Sequence, residues 1–106
     1  MAGDAPRVSV AIPTFGKADL LAATLAALGR QTYARELVEV VVVDDCSPDR
    51  TGEVLASLAP VFALRSLRHE TNRGRAAARN TAVRAATGDL VVFLDDDMRA
   101  DRRLIE

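Results

Sequence analysis

The sequence predicts an α/β fold, an open and mostly parallel sheet with helices on its faces. Three observations carry that prediction. Short apolar runs alternate with alanine- and leucine-rich stretches at helical spacing along the 106 residues, the signature of repeated strand–helix–strand units. One run, Leu90 to Leu94, is apolar throughout and rich in β-branched and aromatic residues, as suits a strand covered on both faces. Two runs also stop directly in carboxylates, Asp44-Asp45 and Asp95-Asp96-Asp97. Right-handed crossovers would put those acids on one rim, at the carboxyl ends of the strands, where open sheets bind ligands.

Taken in order, Arg7 to Ile12 reads as the first strand, ended by Pro13, which has no ladder donor. Thr14 to Lys17 is a loop. Leu21, Leu25 and Leu28 then recur at helical spacing in a helix from about Ala18 to Gln31, with Gly29 near its end. Val38 to Val43 is the second strand. Cys46-Ser47-Pro48-Asp49 is a turn whose Ser47 or Asp49 is placed to cap a helix from Arg50 to Leu58, and Pro60 stops that helix. Ala63 to Leu67 is a short third strand. A polar loop, His69 to Arg75, leads into an alanine-rich helix from Ala76 to Ala86, with Gly88 in the usual C-terminal stop position. Leu90 to Leu94 is the fourth strand.

Length allows one domain at most. With 49% apolar residues and a net charge of -1, nothing in the composition asks for a nucleic acid partner. No apolar run approaches the ~20 residues of a membrane helix, and the Met1-Ala2-Gly3-Asp4 start lacks a signal-peptide layout. A lone cysteine, Cys46, forms neither an internal disulfide nor a metal pattern, so a cytoplasmic setting is expected.

The acid triplet is the most charged feature on the rim. Adjacent carboxylates repel, and hard oxygen donors suit Mg2+ or Mn2+ with substrate phosphates completing the shell. By itself the triplet reads equally well as a solvated acidic turn before Arg99, Arg102 and Arg103. With the strand order 3-2-1-4, the acids after strands two and four stand roughly 10 Å apart, two spacings of ~4.8 Å. That is about the reach from a nucleoside to its second phosphate. One acidic pair would meet nucleoside donors and the other would hold a metal on a diphosphate, with Arg73, Arg75 and Arg79 on the phosphate side. No glycine-rich phosphate loop follows the first strand, which argues against a dinucleotide dehydrogenase or an ATPase.

Five segments strongly resemble the nucleotide-binding half of family 2 glycosyltransferases: Val8 to Phe15, Gln31 to Tyr33, Val41 to Ser47, Asn72 to Gly74 with Ala78 to Asn80, and Phe93 to Asp97. The resemblance runs from Arg7 almost to the end. It implies a Rossmann-like GT-A fold and inverting transfer of a sugar from a nucleotide-diphosphate donor to an acceptor hydroxyl. Carried over by position, Pro13 and Thr14 match the loop touching base and ribose, and Asp45 the aspartate bonding the base. Asp95, Asp96 and Asp97 match the Asp-x-Asp type motif, its first acid toward the ribose and its last toward the metal. Arg73, Gly74 and Arg79 match a region lining the donor pocket. Gly16 stands where asparagine is frequent, and Cys46 where glycine is.

The resemblance also implies that the catalytic base lies beyond the triplet, in an acceptor-binding half. Residues 1–6 are therefore expected to be a disordered N-terminus, 7–97 the donor-binding domain and 98–106 the start of the acceptor side. Such a chain is expected to be inactive alone, with no catalytic residue of its own, and to self-associate through an unprotected sheet edge. Asn80 is expected to pack or brace a loop, and His69 to lie on a surface loop. The competing readings are a non-catalytic nucleotide-binding module or degenerate paralogue, and a nucleotidyltransferase, which the Pro-Thr-Phe-Gly first loop does not support.

Overall fold

A computed structural model describes residues 6–28, 35–58 and 64–94. The expected positions Gln31 to Tyr33, Pro60 and Asp95 to Asp97, with residues 1–5 and 98–106, lie outside the described residues. The elements run β1 (Val8–Thr14), α1 (Ala18–Leu28), a 3-10 turn (Arg35–Leu37), β2 (Val38–Asp44), α2 (Thr51–Leu58), β3 (Leu64–Arg68), α3 (Arg75–Ala85) and β4 (Leu90–Phe93). The four strands form one parallel sheet, as the alternating pattern predicts, and their order is the expected β3-β2-β1-β4.

The two faces of the sheet divide by sequence parity, because successive strand side chains point to opposite sides. Val8, Val10 and Ile12 of β1, with Val40 and Val42 of β2, pack against Leu21, Leu25 and Leu28 of α1 and Leu55 of α2. On the other face Ala11, Val41 and Val43 meet Ala78 and Ala82 of α3. Alanine at both helix positions lets α3 lie close to the sheet. That closeness brings the start of α3 to the rim above β1 and β2.

Three expectations about the strands and turns need correction. Pro13 does not end β1; it pairs in register with Val43, and the strand runs on to Thr14. The Thr14 carbonyl accepts from Asp45 N on the β2 side, so alternation turns Pro13's missing donor toward β4, whose ladder pairs only Val8 to Ala11. β4 is not covered on both faces either: Val91 and Val92 are half-buried, while Leu90 and Phe93 are exposed at the edge of the described sheet. Gly88 is not a left-handed stop residue. α3 ends at Ala86, whose N–H reaches Ala82 O and Val83 O, and Gly88 serves a close approach instead. A Cβ there would stand 2.8 Å from Arg7 O, Ser9 N and Ser9 Oγ.

A polar anchor lies at the opposite end of the sheet from the rim. The Glu39 carboxylate accepts from Ser9 Oγ at 2.6 Å and from Thr87 N and Oγ1 at 2.6 and 2.9 Å, and Gly88 N donates to Ser9 Oγ at 2.8 Å. Burial alone would raise the Glu39 pKa, but these donors, with Arg65, hold it below the usual carboxylate range. The anchor ties the end of α3 to β1 and β2.

Candidate functional site

The rim is built from three loops locked to one another. Gly16 N donates to Ser47 Oγ at 2.9 Å, which ties the loop after β1 to the loop after β2. The Asp49 carboxylate accepts from Ala18 N at 3.2 Å and from Thr51 N at 3.1 Å, so one side chain caps both α1 and α2. The Thr51 hydroxyl, first among its partners, with those backbone donors lowers the Asp49 pKa. Of the two caps expected for α2, Asp49 serves.

Asp44 and Asp45 do not act as a pair. Asp44 turns into its own loop, accepting from Ser47 N and from Arg68, each at 2.9 Å. Asp45, 4% exposed, organises the third loop. Its Oδ1 accepts from His69 Nδ1 at 2.8 Å and Arg73 N at 2.9 Å, and its Oδ2 from Gly74 N at 2.8 Å. Asn72 Nδ2 reaches the Asp45 carbonyl at 3.4 Å. Desolvation would raise the Asp45 pKa, yet the donors from Arg73, His69 and Gly74 together hold it below the usual carboxylate range.

His69 is therefore not a surface loop residue, which corrects the expectation. It is 7% exposed, and its Nε2 meets Thr81 Oγ1 of α3 at 2.8 Å. Asn80 is exposed on α3 rather than packed. The residue between the two loops, Cys46, has φ +65°, the left-handed region that a side chain makes costly, so the glycine frequent at this position has a steric reason. Gly16 has φ +66°, a conformation asparagine also tolerates, which accounts for either residue there.

These loops enclose a cleft lined by Pro13, Thr14, Phe15, Asp45, Asn72, Gly74, Arg75 and Ala78. Its volume is about 180 Å³, and it opens onto the rim. Five residues singled out from sequence, Pro13, Thr14, Asp45, Gly74 and Arg75, come together here. Arg73 reaches the cleft's edge only through its backbone N–H to Asp45. Arg79 lies with its guanidinium carbon 5.9 Å from the Phe93 ring centroid and does not line the cleft. The cation that does line it is Arg75, with Phe15, Asn72 and Ala78 beside it. All four stand within or next to the segments that resemble the family.

Carboxylate oxygens are the donors a Mg2+ or Mn2+ ion takes. Leu94 N bonds Ala11 O, so the chain leaves β4 beside β1 with Asp95 next in sequence. Among the described residues no cluster of three or more His, Cys, Asp or Glu side chains could hold a metal ion. The candidate ligands Asp95, Asp96 and Asp97 lie outside the described residues. No helix of the described residues is long and apolar enough to cross a membrane.

A four-stranded parallel sheet with a cleft at its carboxyl rim, closed by the first and second strand loops and the start of a helix, defines a Rossmann-like α/β domain. The chain belongs to glycosyl transferase family 2, whose description matches residues 9–106. It is 40% identical over 102 residues to validoxylamine A glucosyltransferase of Streptomyces hygroscopicus subsp. jinggangensis, covering 95% of this chain and 24% of that protein. Its fold is similar to Staphylococcus aureus TarS 1-349 in complex with UDP, with TM-score 0.88 and 33% identity over 92% of this chain and 29% of that one. It is also similar to the mannosyltransferase PcManGT of Pyrobaculum calidifontis in complex with GDP-Man and Mn2+, with TM-score 0.82 and 42% identity over 87% and 28%. The chain thus spans about a quarter to a third of the length of these relatives.

Proposed function

We propose that this chain is the donor-binding part of an inverting glycosyltransferase, which holds a nucleotide-diphosphate sugar for transfer to an acceptor hydroxyl. The observation that carries this reading is the cleft, where Pro13, Thr14, Asp45 and Gly74 converge at the carboxyl rim of a family 2 domain. The base and ribose occupy the cleft and the diphosphate runs out along the open rim, toward Arg75 and the chain leaving β4. Structures similar to this chain hold UDP or GDP-Man in complex, which supports a nucleotide-sugar donor.

A divalent ion, Mg2+ or Mn2+, fits the donor set of Asp95 to Asp97, with Asp97 and Asp95 as its ligands and Asp96 toward the nucleotide. When bound, such an ion supplies Lewis-acid stabilisation of the charge on a diphosphate leaving group. The residues of this chain bind and orient the donor. The Asp45 carboxylate and the backbone of Asn72 to Gly74 form a rigid wall against which a base is placed, which favours a reactive geometry at the sugar.

Calorimetric titration with UDP, with and without Mn2+, beside an Asp97→Asn variant, tests the reading. Metal-enhanced binding that the variant loses is the expected result. Absence of binding to UDP, TDP and GDP alike, by a chain shown to be folded, overturns it.

A further inference from the structure

We propose that Ser47 is a positioning residue for the donor cleft: clamped by Asp44 and Arg68, its hydroxyl holds the loop after β1 and so fixes the wall formed by Pro13 to Phe15. The inference deepens the reading above and rests on it. It starts from Asp44, a carboxylate 2% exposed that does not line the cleft. A buried charge needs donors, and Asp44 has Ser47 N on Oδ1 and Arg68 Nη1 on Oδ2, each at 2.9 Å.

These contacts make a clamp. The Arg68 guanidinium is a rigid fork, and its Nη2 reaches the Ser47 carbonyl at 3.2 Å. Ser47 is therefore buried and held through its N–H and its C=O at once, which gives its Oγ a fixed place. That Oγ accepts from Gly16 N at 2.9 Å. A line of hydrogen bonds thus crosses the rim, from the end of β3 through the loop after β2 to the loop after β1.

The far end of the line meets the cleft. The loop after β1 is tied at Thr14, whose carbonyl accepts from Asp45 N at 2.9 Å, and at Ala18, whose N–H meets Asp49 at 3.2 Å. Gly16 lies midway between these ties, at φ +66° and next to Phe15, which lines the cleft. The Ser47 bond there sets how far the first loop stands from Asp45, Gly74 and Ala78, and hence the width a nucleoside meets. Ser47, Asp44 and Arg68 do not line the cleft themselves, so they act through Gly16.

Dissociation constants for UDP with Mn2+, and amide hydrogen exchange read by NMR on the full chain, test the proposal. In Ser47→Ala the Gly16 amide is expected to exchange faster by a larger factor than the core amide of Val42. UDP is expected to bind about fivefold more weakly, the value of one hydrogen bond. Arg68→Lys, which keeps a cation beside Asp44 but not the fork, moves both readouts the same way and less. The double variant binds UDP as Ser47→Ala does, because one path carries both effects. Unchanged UDP affinity in a Ser47→Ala chain whose Gly16 amide has been freed overturns the proposal. Gly16 exchange that rises no more than that of Val42, the sign of a merely structural role, also overturns it. If the folded wild type binds none of UDP, TDP and GDP, the nucleotide reading fails and this inference falls with it, an outcome that the wild type alone reveals.

Discussion

Asp45 and His69 lie side by side beneath the rim, both buried, with Oδ1 and Nδ1 2.8 Å apart. The same carboxylate collects the backbone donors of Arg73 and Gly74, so the loop that lines one side of the cleft hangs on it. Its ionisation is therefore linked to folding. Asp45 is held below its ordinary value of 3.8 in the folded chain, so its contribution is complete above about pH 4 and is lost as pH falls through the folded value. Glu39 and Asp49 are shifted in the same direction and add to the same acid limb. Denaturant unfolding from pH 7 to pH 2.5 should show stability flat at first and then falling below about pH 4.5, where Glu39 begins the limb. Asp45→Asn should cost about 2–3 kcal/mol at pH 7 and make the acid limb shallower. An unchanged limb in that variant would place the titration elsewhere.

The far end of the sheet depends on Glu39 in a comparable way. Replacing it by alanine leaves the buried Ser9 Oγ without its acceptor, while the exposed Thr87 donors turn to water. The expected cost is about 1–2 kcal/mol, and Glu39→Gln, which keeps one acceptor, should lose less. Thermal melts of the two variants check the order.

Gly88 sits against β1 too closely for any side chain. Its added Cβ would contact the Arg7 carbonyl and the Ser9 backbone nitrogen at 2.8 Å, atoms that belong to a paired strand and do not yield easily. Gly88→Ala should lose about 1–3 kcal/mol, as small-to-large changes in packed places do. A melting temperature equal to the wild type would show that the loop has slack.

Cys46 predicts the opposite sign. A side chain at φ +65° costs ~1–2 kcal/mol, while glycine in a defined conformation costs about 0.5–1 kcal/mol in chain entropy. The thiol's own contacts, Glu70 O at 3.4 Å and Arg68 at 3.9 Å, are weak. Cys46→Gly should therefore stabilise the fold by about 0.5–1 kcal/mol, or a few degrees in melting temperature. A fall in melting temperature would assign the thiol a larger role than its geometry gives it.

Much of this architecture is written locally. Val40 to Val43 and the leucines of α1 read as strand and helix, and the parallel pairing follows from the strand–helix–strand alternation. Pro13, Thr14 and Asp45 converge because they stand at strand ends, while Gly74, beyond the end of β3, is drawn in by its N–H to Asp45. His69 is different, because a polar loop has no period and its burial comes from folding over Asp45 and against Thr81. A single histidine and a threonine inside an alanine-rich helix were the only traces of that contact in the chain. The covering of β4 is not legible for a related reason, since apolar composition says a strand can be buried and not which elements bury it.

Arg75 and Arg79 are one helical turn apart on α3, and sequence alone offers both for the diphosphate. The structure separates them. Arg75 is the first residue of the helix and lines the cleft, while Arg79 stands over the Phe93 ring at 5.9 Å. A guanidinium beside a phosphate makes charge-assisted hydrogen bonds, worth about tenfold in affinity or more at a partly exposed rim. The cation–π contact of Arg79 supports β4 instead, at ~0.5–1 kcal/mol for an exposed pair. Arg75→Ala should weaken UDP binding roughly tenfold. Arg79→Ala should lower stability and leave the dissociation constant within about twofold. Titration and melting of the two variants together separate the roles, and a larger loss of UDP affinity in Arg79→Ala would reverse them, with the diphosphate running past β4 rather than along the start of α3.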